Sequence, residues 1–146
     1  MKKELVKNWM TRDVITISPE TTLPEAHRLM TDRNVRRLPI VKKDRLIGII
    51  TLGDVREAEP SDATSLSIWE INYLLAKQTV ETVMTKNPLT IEPEATVSEA
   101  ARLMMEYKIS GLPVVGPNQN IIGIITESDI FRLVVQTWDE MEVVLG

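Results

Sequence analysis

The strongest constraint on how this 146-residue chain folds is an internal duplication. An offset of 74 residues aligns Met10-Thr11 with Met84-Thr85. After one inserted residue the offset becomes 75, and the run Ile47-Gly48-Ile49-Ile50-Thr51 then aligns with Ile122-Gly123-Ile124-Ile125-Thr126 without a mismatch. A duplication of this length predicts two copies of one supersecondary unit, so the architecture follows from the fold of a single copy.

Each copy has the pattern of a β-α-β-β-α unit. In the first copy, a short strand over Val14 to Ile17 precedes Thr22 to Glu25, a capping box that begins a helix. Two more strands, Leu38 to Val41 and Leu46 to Thr51, flank a polar turn, and a last helix follows. The second copy repeats this order at Pro88 to Ile91, Thr96 to Glu99, Leu112 to Val115 and Ile121 to Thr126, with a last helix after Thr126.

The copies are joined by a linker and a helix. Glu59 to Ser65 has the composition of a linker, and Leu66 to Lys77 carries apolar residues at helical spacing, which predicts a connecting helix. The predicted organisation is a first motif at 8-59, linker and connecting helix at 60-79, a second motif at 80-134 and a C-terminal tail at 135-146. Because each copy alone is small, we expect an α/β (α+β) fold whose two repeats pack sheet to sheet with pseudo-two-fold symmetry and leave a cleft between them.

Composition excludes several classes of protein. Without cysteine the chain has no disulfide, no Cys-based zinc site and no thiol nucleophile. The longest nearly apolar run, Leu46 to Leu52, is far shorter than the ~18 residues of a membrane span, and the N-terminus leads into no apolar signal region. A net charge of −4 with one Phe and two Tyr lacks the basic stripe of a nucleic-acid binder. We therefore expect a cytoplasmic protein with no membrane or nucleic-acid partner.

The sequence contains no recognisable catalytic or metal-binding set. His27 is the sole histidine, so a His/Cys ligand cluster cannot form around it. The acidic residues show no paired spacing of the kind that general acid–base catalysis uses, and no nucleophile motif occurs. The prediction is a protein that is not an enzyme and has no metal.

Three motifs recur in the same order in both copies. In the first they are Met10-Thr11, Arg37 to Val41, and Gly48 to Asp54. In the second they are Met84-Thr85, Gly111 to Val115, and Gly123 to Asp129. Over roughly residues 8 to 134 the chain resembles a tandem pair of CBS domains, named after cystathionine β-synthase. The resemblance implies a stand-alone sensor that binds AMP, ADP, ATP or another adenosyl compound between its two motifs, requires no cofactor, forms a homodimer and signals to an effector protein of unknown identity.

The Gly-x-x-Thr-x-x-Asp segments carry a physical argument of their own. A helix that begins at Thr51 offers free backbone amides and the positive end of its dipole, which favour a phosphate. The carboxylate of Asp54 offers only acceptors and therefore complements the two hydroxyl donors of a ribose diol. Thr126 and Asp129 repeat the pattern. The alternative is that both pairs are capping boxes whose acid serves only its own helix.

The resemblance also implies where an adenine would lie, between the first strand and the Leu-Pro strand of each copy. The residues concerned are Thr16, Ile17, Leu38 and Pro39 in the first copy, and Thr90, Ile91, Leu112 and Pro113 in the second. The aliphatic ones belong to the core with or without a ligand. Arg36 and Arg37 precede Leu38, where two guanidiniums can bind phosphate oxygens, although a solvated charge pair explains them equally well. Ser110-Gly111 occupy the corresponding place in the second copy.

Two other functions fit the same sequence. One is a dimerisation or scaffold module with no physiological ligand, and the other is a hydrolase of adenosine compounds. Large apolar side chains outside the repeats or on helix faces favour a homodimer, although packing within one chain explains them too. They are Trp9, Trp69, Trp138, Met30, Met104 and Met105.

Overall fold

The computed structural model describes residues 3–59 and 67–145 and has the mixed α/β class that the sequence predicts. Its helices are α1 (Val6–Trp9), α2 (Leu23–Arg33), α3 (Leu52–Ala58), α4 (Ile68–Lys77), α5 (Val97–Tyr107) and α6 (Glu127–Leu145). Its strands are β1 (Arg37–Lys42), β2 (Arg45–Thr51), β3 (Thr85–Lys86), β4 (Gly111–Val115) and β5 (Ile121–Thr126). The helix α4 lies within the predicted connecting helix, whereas Leu66 and most of the predicted linker lie outside the described residues.

One compact unit, here called the first-repeat unit, consists of Ile15–Pro88. Its sheet has the order β1-β2-β3, with antiparallel pairing throughout. The helix α2 begins at Thr22, whose hydroxyl accepts a hydrogen bond from the Glu25 amide while the Glu25 carboxylate accepts from the Thr22 amide. This is the predicted capping box, and the apolar side chains of α2 share one buried core with those of β1 and β2. The buried core comprises Leu23, Ala26, Met30, Leu38, Ile40, Ile50, Val55 and Val80.

The other compact unit, the second-repeat unit, consists of Met1–Val14 together with Leu89–Gly146. Here β4 pairs antiparallel with β5, and Thr11 adds an antiparallel bridge to Ile124. The helix α5 begins at Thr96, whose hydroxyl accepts from the Glu99 amide. The buried core comprises Val6, Met10, Ile91, Val97, Ala100, Met104, Leu112, Val114 and Ile125.

The segments before the two repeats are exchanged between the units. Met10-Thr11 precedes the first repeat in sequence but packs on β5 of the second, and Met84-Thr85 packs on β2 of the first. The contacts therefore divide the chain after Val14 and after Pro88, whereas the predicted motifs at 8-59 and 80-134 follow the order of the repeats. The first residues of each sequence repeat thus pack in the compact unit that contains the strands of the other repeat.

The predicted first strands, Val14 to Ile17 and Pro88 to Ile91, are reduced to one bridging residue each. Ile17 pairs in parallel with Ile40, and Ile91 with Val114. A longer parallel ladder would need an N–H donor from the residue before each of these partners, and that residue is proline in both copies. The Leu-Pro motif therefore limits the pairing of the strand beside it.

Apolar side chains on the helices divide into core and surface groups. Met30 and Met104 are buried, so core packing accounts for both. Met105, Trp69 and Trp138 are exposed. The helix α6 continues through the predicted tail and carries further exposed apolar residues, among them Phe131, Val135 and Met141. Within the described ranges, none of the helices combines the length and the apolar character that crossing a membrane requires.

Candidate functional site

The first strand residue of each repeat lies directly against the Leu-Pro strand. The Ile17 amide donates to the Pro39 carbonyl at 3.1 Å, and the Val41 amide donates to the Ile17 carbonyl at 2.9 Å. In the second repeat the Ile91 amide donates to the Pro113 carbonyl at 3.0 Å, and the Val115 amide donates to the Ile91 carbonyl at 3.1 Å. Each unit thus brings together the residues that were predicted to line an adenine position.

These residues differ in what they can offer to a ligand. The side chains of Leu38, Pro39, Leu112 and Pro113 are buried in the two cores, as expected for aliphatic core residues. Thr16 is exposed, and Ile17 and Thr90 are half-buried. Ile91 is buried. Accessible side-chain atoms at this place therefore come from the bridging segments, Thr16-Ile17 and Thr90-Ile91, while the Leu-Pro strands offer their backbone.

Thr51 and Asp54 form a complete capping box at the start of α3. The Asp54 amide donates to the Thr51 hydroxyl at 3.1 Å, and the Thr51 amide donates to Oδ2 of Asp54 at 2.9 Å. The capping box that the alternative describes is therefore present in the first repeat. The expectation of free amides is wrong at two positions, because the Leu52 amide donates to the Arg36 carbonyl at 2.8 Å and the Asp54 amide is taken by Thr51. Since the cap uses one carboxylate oxygen of a half-buried side chain, Asp54 keeps acceptor capacity.

The second Thr-x-x-Asp turn is built differently. The Thr126 amide donates to Oδ2 of Asp129 at 2.9 Å, and the Thr126 hydroxyl lies 3.3 Å from the same oxygen. The Asp129 residue is only 3% exposed, and its Oδ1 lies 3.1 Å from Nη1 of Arg132. The Glu127 amide donates to the Ser110 carbonyl. The expectation of a free amide is therefore wrong at this position too. Asp129 is thus a buried carboxylate held on both oxygens.

The two arginines lie at the end of β1 where α3 begins. Arg37 pairs across the sheet with Thr51, and the Arg36 carbonyl holds the first amide of α3. Arg36 is exposed and Arg37 is half-buried. From Arg37 to Ile40, the partner of Ile17, is three residues of strand, roughly 10 Å. The first-repeat unit therefore places basic residues, the Thr-x-x-Asp turn and the bridging segment along one strand.

Sequence reasoning missed the environment of Asp129. Arg132 also donates through Nη2 to the Trp9 carbonyl at 3.0 Å, and its guanidinium carbon lies 5.6 Å from the centre of the Trp9 ring. The Trp9 ring nitrogen in turn donates to Glu4 at 3.1 Å. The spacing of Asp129 and Arg132 on a helix was a readable signal, because residues three apart lie on the same face. The involvement of Trp9 had no local signal, since it lies 123 residues away.

The carboxylates and the histidine are dispersed. Within residues 3–59 and 67–145, no three His, Asp or Glu side chains converge as a metal site would require.

Comparison with known proteins identifies close relatives of the whole pattern. The CBS domain family model matches residues 6–61 and 80–136. A CBS domain-containing protein of Dictyostelium discoideum is 36% identical over 135 residues, which are 92% of this chain and 93% of that protein. An inosine-5'-monophosphate dehydrogenase of Korarchaeum cryptofilum is 39% identical over 125 residues, 86% of this chain but only 23% of the enzyme. The chain thus spans about a quarter of that relative.

Solved structures agree with these matches. The CBS domain pair of protein MJ0100, in complex with 5'-methylthioadenosine and S-adenosyl-L-methionine, has a TM-score of 0.77 at 31% identity and covers 93% of this chain and 99% of its own. The protein CBSX2 of Arabidopsis thaliana, in complex with AMP, has a TM-score of 0.78 at 27% identity, with 92% and 98% covered. Since the family model covers most of the chain in two successive matches, this protein belongs to the CBS-domain family and contains a pair of CBS domains.

Proposed function

We propose that this chain is a regulatory module of the cytoplasm that binds adenosine-containing ligands and is not itself an enzyme. The observation that carries the proposal is that each unit places a bridging segment beside a Leu-Pro strand, whose hairpin partner ends at a Thr-x-x-Asp turn. Two similar structures support it, because the compounds named with them, AMP, S-adenosyl-L-methionine and 5'-methylthioadenosine, share an adenosine group. No resident cofactor is part of the proposal.

The proposed contacts follow the chemistry of adenosine. The base lies against the bridging segments at Thr16, Ile17, Thr90 and Ile91. The Leu-Pro strands meet it through the backbone of Leu38, Pro39, Leu112 and Pro113, whose side chains are buried. The ribose hydroxyls donate to Asp54 or Asp129, and Thr51 or Thr126 offers a hydroxyl beside them. Arg36 and Arg37 stand where a 5'-phosphate of a ligand on the first repeat would be bound.

The first test combines a ligand panel with a double variant. AMP, ADP, ATP, S-adenosyl-L-methionine and 5'-methylthioadenosine are compared by thermal shift, where a ligand at 100 times its Kd stabilises by about 2.7 kcal/mol. The variant Asp54→Asn with Asp129→Asn removes both charges but keeps an oxygen that accepts from the capping amide. We expect its affinity for the best ligand to fall by about ten-fold or more, since hydrogen bonds to charged groups are the strong ones. Unchanged affinity in this folded variant would exclude both carboxylates from the site.

Charge at the end of β1 predicts a preference for phosphorylated ligands. Replacing Arg36 and Arg37 by glutamine should weaken the binding of AMP by about 1–3 kcal/mol. The binding of 5'-methylthioadenosine, which has no phosphate, should be nearly unchanged. Calorimetric titration of both ligands measures the difference. Equal weakening of both would mean that the arginines support the fold of β1 and do not contact a phosphate.

Signalling requires that the ligand favours one arrangement of the protein over another, because equal affinity for two states shifts nothing. We propose that the signal passes through a homodimer to an effector protein. Sedimentation with and without ligand tests this, and a change in the dimer equilibrium or shape is the expected result.

A scaffold module without a physiological ligand is the second candidate. The observation that favours it is the exposed apolar surface of α6, where Phe131, Val135 and Trp138 are each more than half exposed. This candidate predicts a stable dimer whose melting temperature no member of the ligand panel changes. Recovery of intact AMP after long incubation with the protein separates both candidates from a hydrolase.

A further inference from the structure

The two Thr-x-x-Asp turns share their sequence pattern but differ in electrostatic environment. Asp54 is half-buried, and within residues 3–59 and 67–145 its carboxylate has no cationic partner. Asp129 is 3% exposed and paired with Arg132. The contrast comes from the residue three positions after the aspartate, which is Glu57 in the first repeat and Arg132 in the second. On a helix this position lies on the same face as the aspartate, so the two repeats place opposite charges beside their carboxylates.

Most of the acceptor positions of Asp129 already face groups of the protein. A carboxylate accepts about four hydrogen bonds, two on each oxygen. Oδ2 accepts from the Thr126 amide and lies near the Thr126 hydroxyl, and Oδ1 forms an ion pair with Nη1 of Arg132 at 3.1 Å. A ribose diol needs two acceptor positions, so it cannot bind this carboxylate fully while Arg132 keeps its place.

Arg132 is held at this place by more than the ion pair. Its second terminal nitrogen donates to the Trp9 carbonyl at 3.0 Å, and its guanidinium lies over the Trp9 ring. The Asp129 carboxylate and the Trp9 carbonyl thus contact the two terminal nitrogens of one planar guanidinium. Arginine provides this geometry and lysine does not. Because the Arg132 side chain is still 58% exposed, it can swing away into solvent without crossing the core.

We propose that Arg132 competes with the ligand for Asp129, so that the second repeat binds adenosine diols more weakly than the first and binding there displaces Arg132 from Trp9. This inference rests on the proposed function and adds an order of filling to it. The first repeat fills at low ligand concentration. The second fills at higher concentration and transmits its occupancy to residues 3–14 through Trp9.

Calorimetric titration with AMP tests the competition. We expect the wild-type chain to bind in two steps that differ roughly ten- to hundred-fold in Kd, the cost of displacing one charge-assisted hydrogen bond. Arg132→Ala should strengthen the weaker step by a similar factor, and Arg132→Lys, which keeps the charge but not the fork, should strengthen it less. Glu57→Ala, at the corresponding position of the first repeat, is the matched control and should leave the two steps as they are in the wild type.

Tryptophan fluorescence gives a readout that does not depend on affinity alone. In a chain with Trp69→Phe and Trp138→Phe, the remaining emission comes from Trp9. We expect this emission to change only during the second AMP step, and to stay constant throughout the titration when Arg132 is alanine. The thermal transition of the Arg132→Ala chain, followed by the same Trp9 emission, also shows whether that variant remains folded.

The outcomes separate this inference from the proposed function. Two equal binding steps in the wild type, or an Arg132→Ala variant whose weaker step is unchanged or weaker still, would overturn the competition while leaving adenosine binding intact. If Arg132→Ala lowers the affinity of the second binding step, Arg132 is a ligand contact. If neither AMP nor any other member of the panel binds the wild-type chain, the proposed function fails and this inference with it.

Discussion

At the scale of single residues, two glycines allow the chain to exchange its segments. A Cβ on Gly123 would lie 2.6 Å from the Met10 sulfur and 2.9 Å from the Thr11 carbonyl oxygen. Gly48 faces Met84 and Thr85 in the same way, with the Thr85 carbonyl oxygen 3.1 Å from its Cβ position. Only a residue without a side chain permits this approach of one backbone to another.

Gly123→Ala should therefore destabilise the protein by about 1–3 kcal/mol, the usual cost of forcing extra volume into a packed site. Urea denaturation followed by circular dichroism measures the change. The control is Gly53→Ala, because its Cβ would lie 3.6 Å from the nearest atom, the Thr51 hydroxyl oxygen. Gly53→Ala should leave the free energy of unfolding unchanged or raise it by up to about 1 kcal/mol, since alanine has a higher helix propensity than glycine. Equal losses in both variants would contradict the close approach at Gly123.

Residue-scale reading of the sequence succeeded where the signal was local. The Thr-x-x-Asp and Thr-x-x-Glu spacings identified the caps, because a cap depends on residues three apart. The unequal burial of Asp54 and Asp129 could not be read from those same letters. It depends on Arg132 and on Trp9, whose position is set by the fold of a distant segment.

At the scale of elements, both repeats contain the predicted helix followed by a hairpin and a second helix. The predicted first strands failed as strands because Pro39 and Pro113 cannot donate to a longer parallel ladder. The short strand β3 and the helix α1 went unpredicted, since four or fewer residues carry too little periodicity to identify an element.

The caps make a testable contribution at this scale. Thr96→Ala removes the oxygen that accepts from the Glu99 amide at 3.1 Å, and we expect the free energy of unfolding to fall by about 1 kcal/mol. Thr96→Ser keeps the hydroxyl and should change it by only a few tenths. Thermal or urea unfolding distinguishes the two. A serine variant as unstable as the alanine variant would assign the loss to the threonine methyl group.

At the scale of the whole molecule, the chain crosses between its compact units after Val14 and after Pro88. The sequence could not predict this exchange, because Met10-Thr11 and Met84-Thr85 are identical pairs and the glycines that they cover lie in identical runs. The local sequence is the same whichever of the two glycine-containing strands a Met-Thr pair packs on. Long-range contacts decide between them.

The exchange predicts which fragments fold. A fragment of residues 15–88 contains Val80, which is fully buried in the first-repeat core and whose amide donates to the Thr21 carbonyl at 2.8 Å. A fragment of residues 1–74 has the same length but lacks it. Burial of one such side chain contributes about 1.5–3 kcal/mol, a large part of the stability of a small domain. We expect a cooperative thermal transition for 15–88 alone, measured by circular dichroism. Cooperative melting of 1–74 instead would contradict the exchange.

The division after Pro88 also has a consequence during synthesis. The first-repeat unit is one continuous stretch of chain, so it is complete once Pro88 has left the ribosome. The second-repeat unit includes residues that emerge before the first-repeat unit, but it also needs β5 and α6, which follow Pro88. At about 5–20 residues per second, residues 3–14 wait several seconds after the first unit is complete. Throughout that interval the apolar side chains of Val6, Trp9 and Met10 have no core to enter, because the residues that surround them in the folded unit have not yet been made.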